Sequence, residues 1–191
     1  MSQELSIEER NILLTIARDA IIAAADSLPK KDLDSYPLSP ALMAIGASFV
    51  TLTKSGHLRG CIGTIMASHP LAHDVQLRAQ QAAIEDPRFP KVQAHEIPHI
   101  HIEISRLTTP QSLNYTKPEE LPGLLTPYKD GVILQDGFRR ATFLPQVWEQ
   151  LPKAEDFLTH LCQKMGAIGG LWKRKVLDVS IYHVESFSDK L

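Results

Sequence analysis

Phe49-Val50-Thr51-Leu52-Thr53, then Lys54-Ser55-Gly56, then Leu58-Arg59-Gly60-Cys61-Ile62-Gly63-Thr64-Ile65 is the stretch that decides the fold. Two β-prone runs lie on either side of a short turn in which Gly56 supplies a positive φ, so the segment predicts an antiparallel hairpin. A second hairpin signal follows, where Gly131 to Gln135 and Phe138 to Phe143 flank Asp136-Gly137. Strands that arrive as hairpins, without helical crossovers between parallel partners, predict an α+β fold of antiparallel sheet with flanking helices.

The rest of the chain fits around these hairpins. Ser6 with Glu9 three positions later forms a capping box, and Ile7, Leu13, Ala17, Ile21 and Ala24 repeat at helical spacing until Pro29. Leu71, Val75, Ala79, Ala82 and Ala83 make a second apolar stripe, opened by Pro70 and stopped by Asp86-Pro87. Residues 98–107 alternate, with Ile100, Ile102 and Ile104 on one face and His99, His101, Glu103 and Ser105 on the other. Glu155 to Met165 is the last helix, ended by Gly166 and Gly169-Gly170, and Val176 to Phe187 alternates as one long closing strand. Residues 1–191 are read as one domain with two subdomains divided around the Pro-rich 108–128 stretch.

Composition excludes several function classes. The 191 residues carry a formal net charge of -2, with 43% hydrophobic and 22% charged residues. Such a chain buries roughly 70% of its unfolded surface and needs no disulfide or metal to hold a core. Its charges, read along the sequence, leave no footprint for nucleic acid or anionic lipid, and 6% aromatic content argues against base stacking. Neither a signal peptide nor an uncharged run of the ~18 residues a membrane span needs is present, so a cytoplasmic location is expected. Cys61 and Cys162 are too few for a disulfide framework.

Period-two alternation sorts the Cys61 segment into two faces, with Leu58, Gly60 and Ile62 on one and His57, Arg59, Cys61 and Gly63 on the other. A guanidinium beside a thiol favours the thiolate, and glycines on both sides leave room for a ligand to approach the backbone. The same residues also suit a packed cysteine between glycines that accommodate close backbone contact. His57 lies ~13 Å along a regular strand from Cys61, too far for a hydrogen bond without a bulge, so a base from elsewhere would be needed. His99, His101 and Glu103 are ligand types for zinc or iron, yet polar residues at every second position also describe a wetted strand face, and no metal or cofactor is expected. His69 and His73, one helical turn apart, carry the same ambiguity. Arg88, in Asp86-Pro87-Arg88-Phe89-Pro90, either reaches an anion or pairs with Asp86 or Glu85.

At Leu58-Arg59-Gly60-Cys61-Ile62-Gly63-Thr64 the chain resembles the AMMECR-one family, whose signature is an Arg-Gly-Cys-Ile-Gly strip. Asp86-Pro87-Arg88-Phe89-Pro90, Glu103-Ile104-Ser105-Arg106-Leu107-Thr108, Asp130-Gly131-Val132 and Phe143-Leu144-Pro145-Gln146-Val147-Trp148 follow the family pattern in order. The resemblance implies two lobes with the strip near a cleft between them, and an activity that is unassigned. Stand-alone members of this length look like protein A of the AmmeMemoRadiSam system, which implies a Memo-like protein and a radical S-adenosylmethionine (SAM) enzyme as partners.

Two functions follow as expectations. In the first, the chain is an enzyme or enzyme component with Cys61 as nucleophile or covalent carrier and Arg59 and Arg88 assisting, acting on an unknown small-molecule or protein substrate. In the second it is a non-catalytic adaptor, docking its partners through His57, Arg59, Gly60, Ile62, Gly63 and Arg88. Cys162, on the apolar stripe beside Leu158 and Leu161, is expected to be a core residue.

Overall fold

A computed structural model of the chain describes residues 4–189, which form two compact units. The first runs through Leu107 and resumes at Glu185, and the second is Thr108–Val184.

The first unit opens with helix α1 (Ile7–Ala25), whose Ser6/Glu9 capping box is formed in both directions. After a 3₁₀ turn at Leu33–Ser35 and a one-turn helix α2 (Pro40–Met43), the hairpin appears as β1 (Ile45–Lys54) and β2 (His57–Gly63). Ser55 and Gly56 both have positive φ, 52° and 77°, the geometry that matches the twist of two paired strands. The short β3 (His69–Pro70) pairs with β1, and Pro70 caps helix α3 (Leu71–Ile84). A 3₁₀ segment, Ala94–His99, leads into β4 (Ile100–Leu107), and the sheet is closed by a late strand, numbered β9 below (Val184–Ser188). Strand order is β2-β1-β4-β9, with antiparallel β1–β2 and β1–β4 pairs, so β2 is an edge strand. Leu52, Ile102 and Ile104 from the sheet pack with Leu13, Ile16 and Ile21 of α1 and Val75, Ala79 and Ala82 of α3. Burying these apolar stripes against one sheet face is the main drive for assembly of this unit.

The second unit holds β5 (Gln111–Ser112), α4 (Leu121–Leu124), β6 (Gly131–Asp136), β7 (Arg139–Phe143), α5 (Ala154–Lys164) and β8 (Asp178–Tyr182). Its sheet order is β5-β8-β6-β7, all antiparallel. The second expected hairpin forms with a shifted turn: Asp136 pairs with Arg139, leaving Gly137 and Phe138 as the loop, with Gly137 at φ 62°. Trp148 stacks on Phe157 at a centroid distance of 3.8 Å and, with Leu158, Leu161 and Cys162 of α5, fills a core separate from the first.

Two expectations need correction. The long closing strand is broken at His183, whose backbone is diverted to Thr108: its C=O accepts from the Thr108 N–H at 2.9 Å and its N–H donates to Thr108 Oγ1 at 2.9 Å. β8 and β9 therefore enter different sheets. His99 ends the 3₁₀ segment and does not stand on β4, so His99, His101 and Glu103 do not share a strand face. Among the described residues no group of three His, Cys, Asp or Glu side chains is placed to hold a metal ion. None of the described helices is long and apolar enough to cross a membrane.

Candidate functional site

The arrangement around Cys61 starts from a bulge. Leu52 pairs with Gly60 and Thr53 with Leu58, leaving Arg59 without a partner on β1. The extra residue reverses the alternation expected for this strand. Cross-strand partners share a face, so Cys61 (opposite Thr51) and Leu58 (opposite Thr53) now point together, while Gly60 (opposite Leu52) and His57 (opposite Lys54) turn to the other side. The face predicted to hold His57, Arg59, Cys61 and Gly63 is thus dispersed, and only Cys61 and Gly63 keep their places.

Arg59 is committed inside the protein. Its Nε and Nη2 donate to Glu96 Oε1 and Oε2 at 3.2 and 2.9 Å, its Nη1 donates to the Pro90 carbonyl at 2.8 Å, and its side chain is 11% exposed. Lys54 Nζ adds a 2.8 Å bond to Glu96, and the Gln93 N–H donates to the same carboxylate at 3.0 Å. The Arg59 guanidinium, helped by Lys54 and Gln93, holds the Glu96 carboxyl far below the usual carboxylate range despite its burial.

The backbone of Cys61 is held by the Asp86-Pro87-Arg88 turn. Asp86 Oδ2 accepts the Cys61 N–H at 2.8 Å, and Arg88 Nη2 donates to the Cys61 carbonyl at 3.2 Å while also bonding Asp86 at 2.7 Å. A carboxylate and a guanidinium thereby satisfy the outward peptide groups of an edge strand, which otherwise invite another strand to pair. Arg88 depresses the Asp86 carboxyl far below its ordinary value, and Asp86 in turn raises Arg88. Arg88 stays 54% exposed and lies 5.5 Å over the Phe89 ring.

The glycines are occupied by packing. A Cβ on Gly60 would stand 2.2 Å from the Ala82 carbonyl oxygen of α3, and one on Gly63 would stand 2.3 Å from the Phe49 ring. Ile62 is half-buried against the first core. Cys61 is half-buried; the Thr51 hydroxyl lies 3.3 Å from its Sγ, and the Arg88 guanidinium also interacts with the thiol. Rows across three strands place Cys61, Thr51 and Glu103 side by side, and likewise Leu58, Thr53 and His101. Leu58 and Glu103 are exposed, so this side of the sheet offers an apolar and an acidic group to solvent. Cys162 is fully buried, which raises its thiol pKa.

Sequence reasoning missed Glu96 and Thr51 and left Asp86 as one of two partners for Arg88. Gln93 and Glu96 have the spacing of a capping box, and its return half is formed, the Glu96 carboxylate accepting the Gln93 N–H, so a signal for Glu96 was present. Nothing along the chain marked Thr51, whose role comes only from pairing register.

A scan against protein families matches the AMMECR1 model over residues 14–187. A protein of Methanosarcina mazei is 36% identical over 163 residues, covering 85% of this chain and 81% of its own length. One from Methanothermobacter thermautotrophicus is 37% identical over 170 residues, covering 85% and 84%. A crystal structure of an uncharacterized protein from Pyrococcus horikoshii matches with a TM-score of 0.81 at 30% identity, over 93% of this chain and 90% of that one.

Proposed function

The chain belongs to the AMMECR1 family, and from that premise we propose that it is a non-catalytic docking module that presents the Leu58–Cys61 side of its first sheet to a protein partner. The partners are the Memo-like protein and radical SAM enzyme that the Arg-Gly-Cys-Ile-Gly resemblance implies. One observation carries the reading: Arg59, the cation that would activate the thiol or grip an anionic substrate, is spent on Glu96 and Pro90. Arg88, which also interacts with Cys61, is held in place by Asp86, and Gly60 and Gly63 have no open space above them. What is left is a rigid strip with exposed Leu58 and Glu103, suited to complementarity.

The test is calorimetric titration of the full chain with each purified partner. Cys61→Ser keeps its affinity, and Leu58→Asp weakens binding about tenfold, or ~1.4 kcal/mol. Loss of binding or of partner-dependent turnover in a folded Cys61→Ser variant overturns the reading in favour of thiol chemistry, as does absence of binding to either partner.

A further inference from the structure

The side of the second unit's sheet turned away from its core carries a polar basin. Ser112 is directly opposite Ser180 in the β5–β8 pair, and Gln135 is directly opposite Asp178 in the β6–β8 pair. Cross-strand partners share a face, and Asp178 and Ser180 stand two residues apart on β8, so all four side chains project from one side of the sheet. Leu134 and Val179 project from the other side, into the core of the unit. The stretch from Asn114 to Thr116, together with Glu120, walls this polar floor and bounds a basin of about 690 Å³, within the ~300–1,000 Å³ of small-molecule sites.

The groups around the basin hold unspent hydrogen-bonding capacity on a fixed frame. Among the described residues, the side chains of Ser112, Asn114, Asp178 and Ser180 have no hydrogen-bond or ion-pair partner. Gln135 donates through Nε2 to the Gly137 carbonyl at 3.3 Å and keeps its Oε1. The wall, by contrast, is tied down. The Tyr115 hydroxyl accepts the Leu177 N–H at 2.8 Å and donates to the Leu177 carbonyl at 2.9 Å, and Glu120 Oε2 accepts the N–H groups of Thr116 and Lys117 at 3.0 and 3.3 Å. No Lys, Arg or His lines the basin, so it lacks the donors that grip a phosphate or carboxylate. Because Glu120 is occupied by backbone N–H groups, Asp178 is the one carboxylate left unspent, too little to hold a polycation. Hydroxyls, carboxamides and a single carboxylate beside an immobilised aromatic ring suit a ligand with many hydroxyl groups and an apolar C–H face. We propose that this basin binds a short neutral oligosaccharide, with Asp178, Asn114, Ser112 and Ser180 bonding its hydroxyls and Tyr115 supplying apolar surface. Every residue lining it belongs to the second unit and the Leu58–Cys61 strip belongs to the first, so its failure leaves the docking reading untouched.

The experiment is two-dimensional NMR of the isotope-labelled full chain, titrated separately with maltotriose, cellotriose, xylotriose and spermidine. At least one trisaccharide shifts the amides of residues 112–116 and 176–180 in a saturable way, and raising the salt leaves its Kd unchanged. Asp178→Asn and Ser180→Ala each raise that Kd about fivefold, as loss of one hydrogen bond does. Ser112→Trp, which fills the basin from an exposed edge-strand position, abolishes the shifts without lowering the melting temperature. Ile7→Ser, on α1 of the first unit, changes nothing. No saturable shift with any of the three sugars overturns the proposal, as do shifts that persist in Ser112→Trp. Saturable shifts at these amides with spermidine alone assign the basin to an organic cation and also overturn it.

Discussion

The Asp86 carboxylate accepts the Cys61 backbone N–H at 2.8 Å, and the guanidinium that balances this carboxylate, Arg88, closes on the Cys61 carbonyl from the same side. Two stretches that carry the family resemblance are thus one structural unit, with the first supplying an edge strand and the second its cap. Asp86 is almost fully buried, so its removal leaves the Cys61 N–H and the Arg88 guanidinium without their acceptor. Asp86→Ala is expected to lower unfolding free energy by about 2–3 kcal/mol, short of a fully buried pair because Arg88 is half in water. Urea unfolding followed by circular dichroism checks it. A change under about 0.5 kcal/mol would mean that the cap is ornamental.

Acid stability follows from the same carboxylates. Asp86 and Glu96 both have folded-state pKa values below their unfolded values, held there first by Arg88 and Arg59. The unfolded state then binds more protons than the folded state, so stability rises with pH through this range. Their contribution is complete above the unfolded carboxylate values near ~4 and drains away as pH falls toward the folded values. Unfolding midpoints measured from pH ~6 down to ~2 should fall steeply in the native protein and less steeply in Asp86→Asn/Glu96→Gln. Parallel slopes in the two proteins would sink the assignment.

The glycine assignments are tested by adding one methyl group. Gly60→Ala drives a Cβ into the Ala82 carbonyl oxygen, a backbone atom that moves only if α3 moves. The expected cost is about 1–3 kcal/mol. Gly123, in α4, has open space at its Cβ position, and Gly123→Ala should be neutral or stabilising by up to ~1 kcal/mol. Thermal melts of both variants decide it. Equal melting temperatures would show that the α3 contact at Gly60 yields without cost.

Much of this fold was legible because its signals are local. The capping box at Ser6, the Ser55-Gly56 turn and the alternation of Ile100, Ile102 and Ile104 each follow from neighbouring residues alone. The site was less legible. Nothing in Leu58-Arg59-Gly60 says that Arg59 loses its cross-strand partner; that is set by α3 approaching Gly60 and by Glu96 drawing the guanidinium away. The break at His183 is invisible for a related reason. Alternation tells which side chains face inward and carries no information on which sheet a residue joins, and here the choice is made by Thr108, far away along the chain.

Thiol accessibility separates the two cysteines. Cys162 is fully buried and should resist iodoacetamide until the second unit unfolds, whereas half-buried Cys61 should react in the native protein. Peptide mass spectrometry over a urea series gives both rates. Native-state labelling of Cys162 ahead of Cys61 would contradict the packing of both units.

Arg59 offers the sharpest separation between a structural and a substrate-gripping role. Its guanidinium meets Glu96 through two nitrogens and is 11% exposed, so Arg59→Ala leaves the carboxylate with Lys54 as its remaining cation. Breaking a buried pair typically costs ~3–5 kcal/mol, and Lys54 should reduce this to about 2–3 kcal/mol. Arg59→Lys retains charge but not the two-pronged geometry, and should recover only part of the loss. The decisive measurement is a double-mutant cycle of Arg59→Met with Glu96→Leu, in which the pair of substitutions should cost at least ~1 kcal/mol less than the sum of the single ones. If the two add independently, and Arg59→Met weakens partner or substrate binding without lowering the melting temperature, then the guanidinium faces a ligand in solution and the docking reading must give way to the catalytic one.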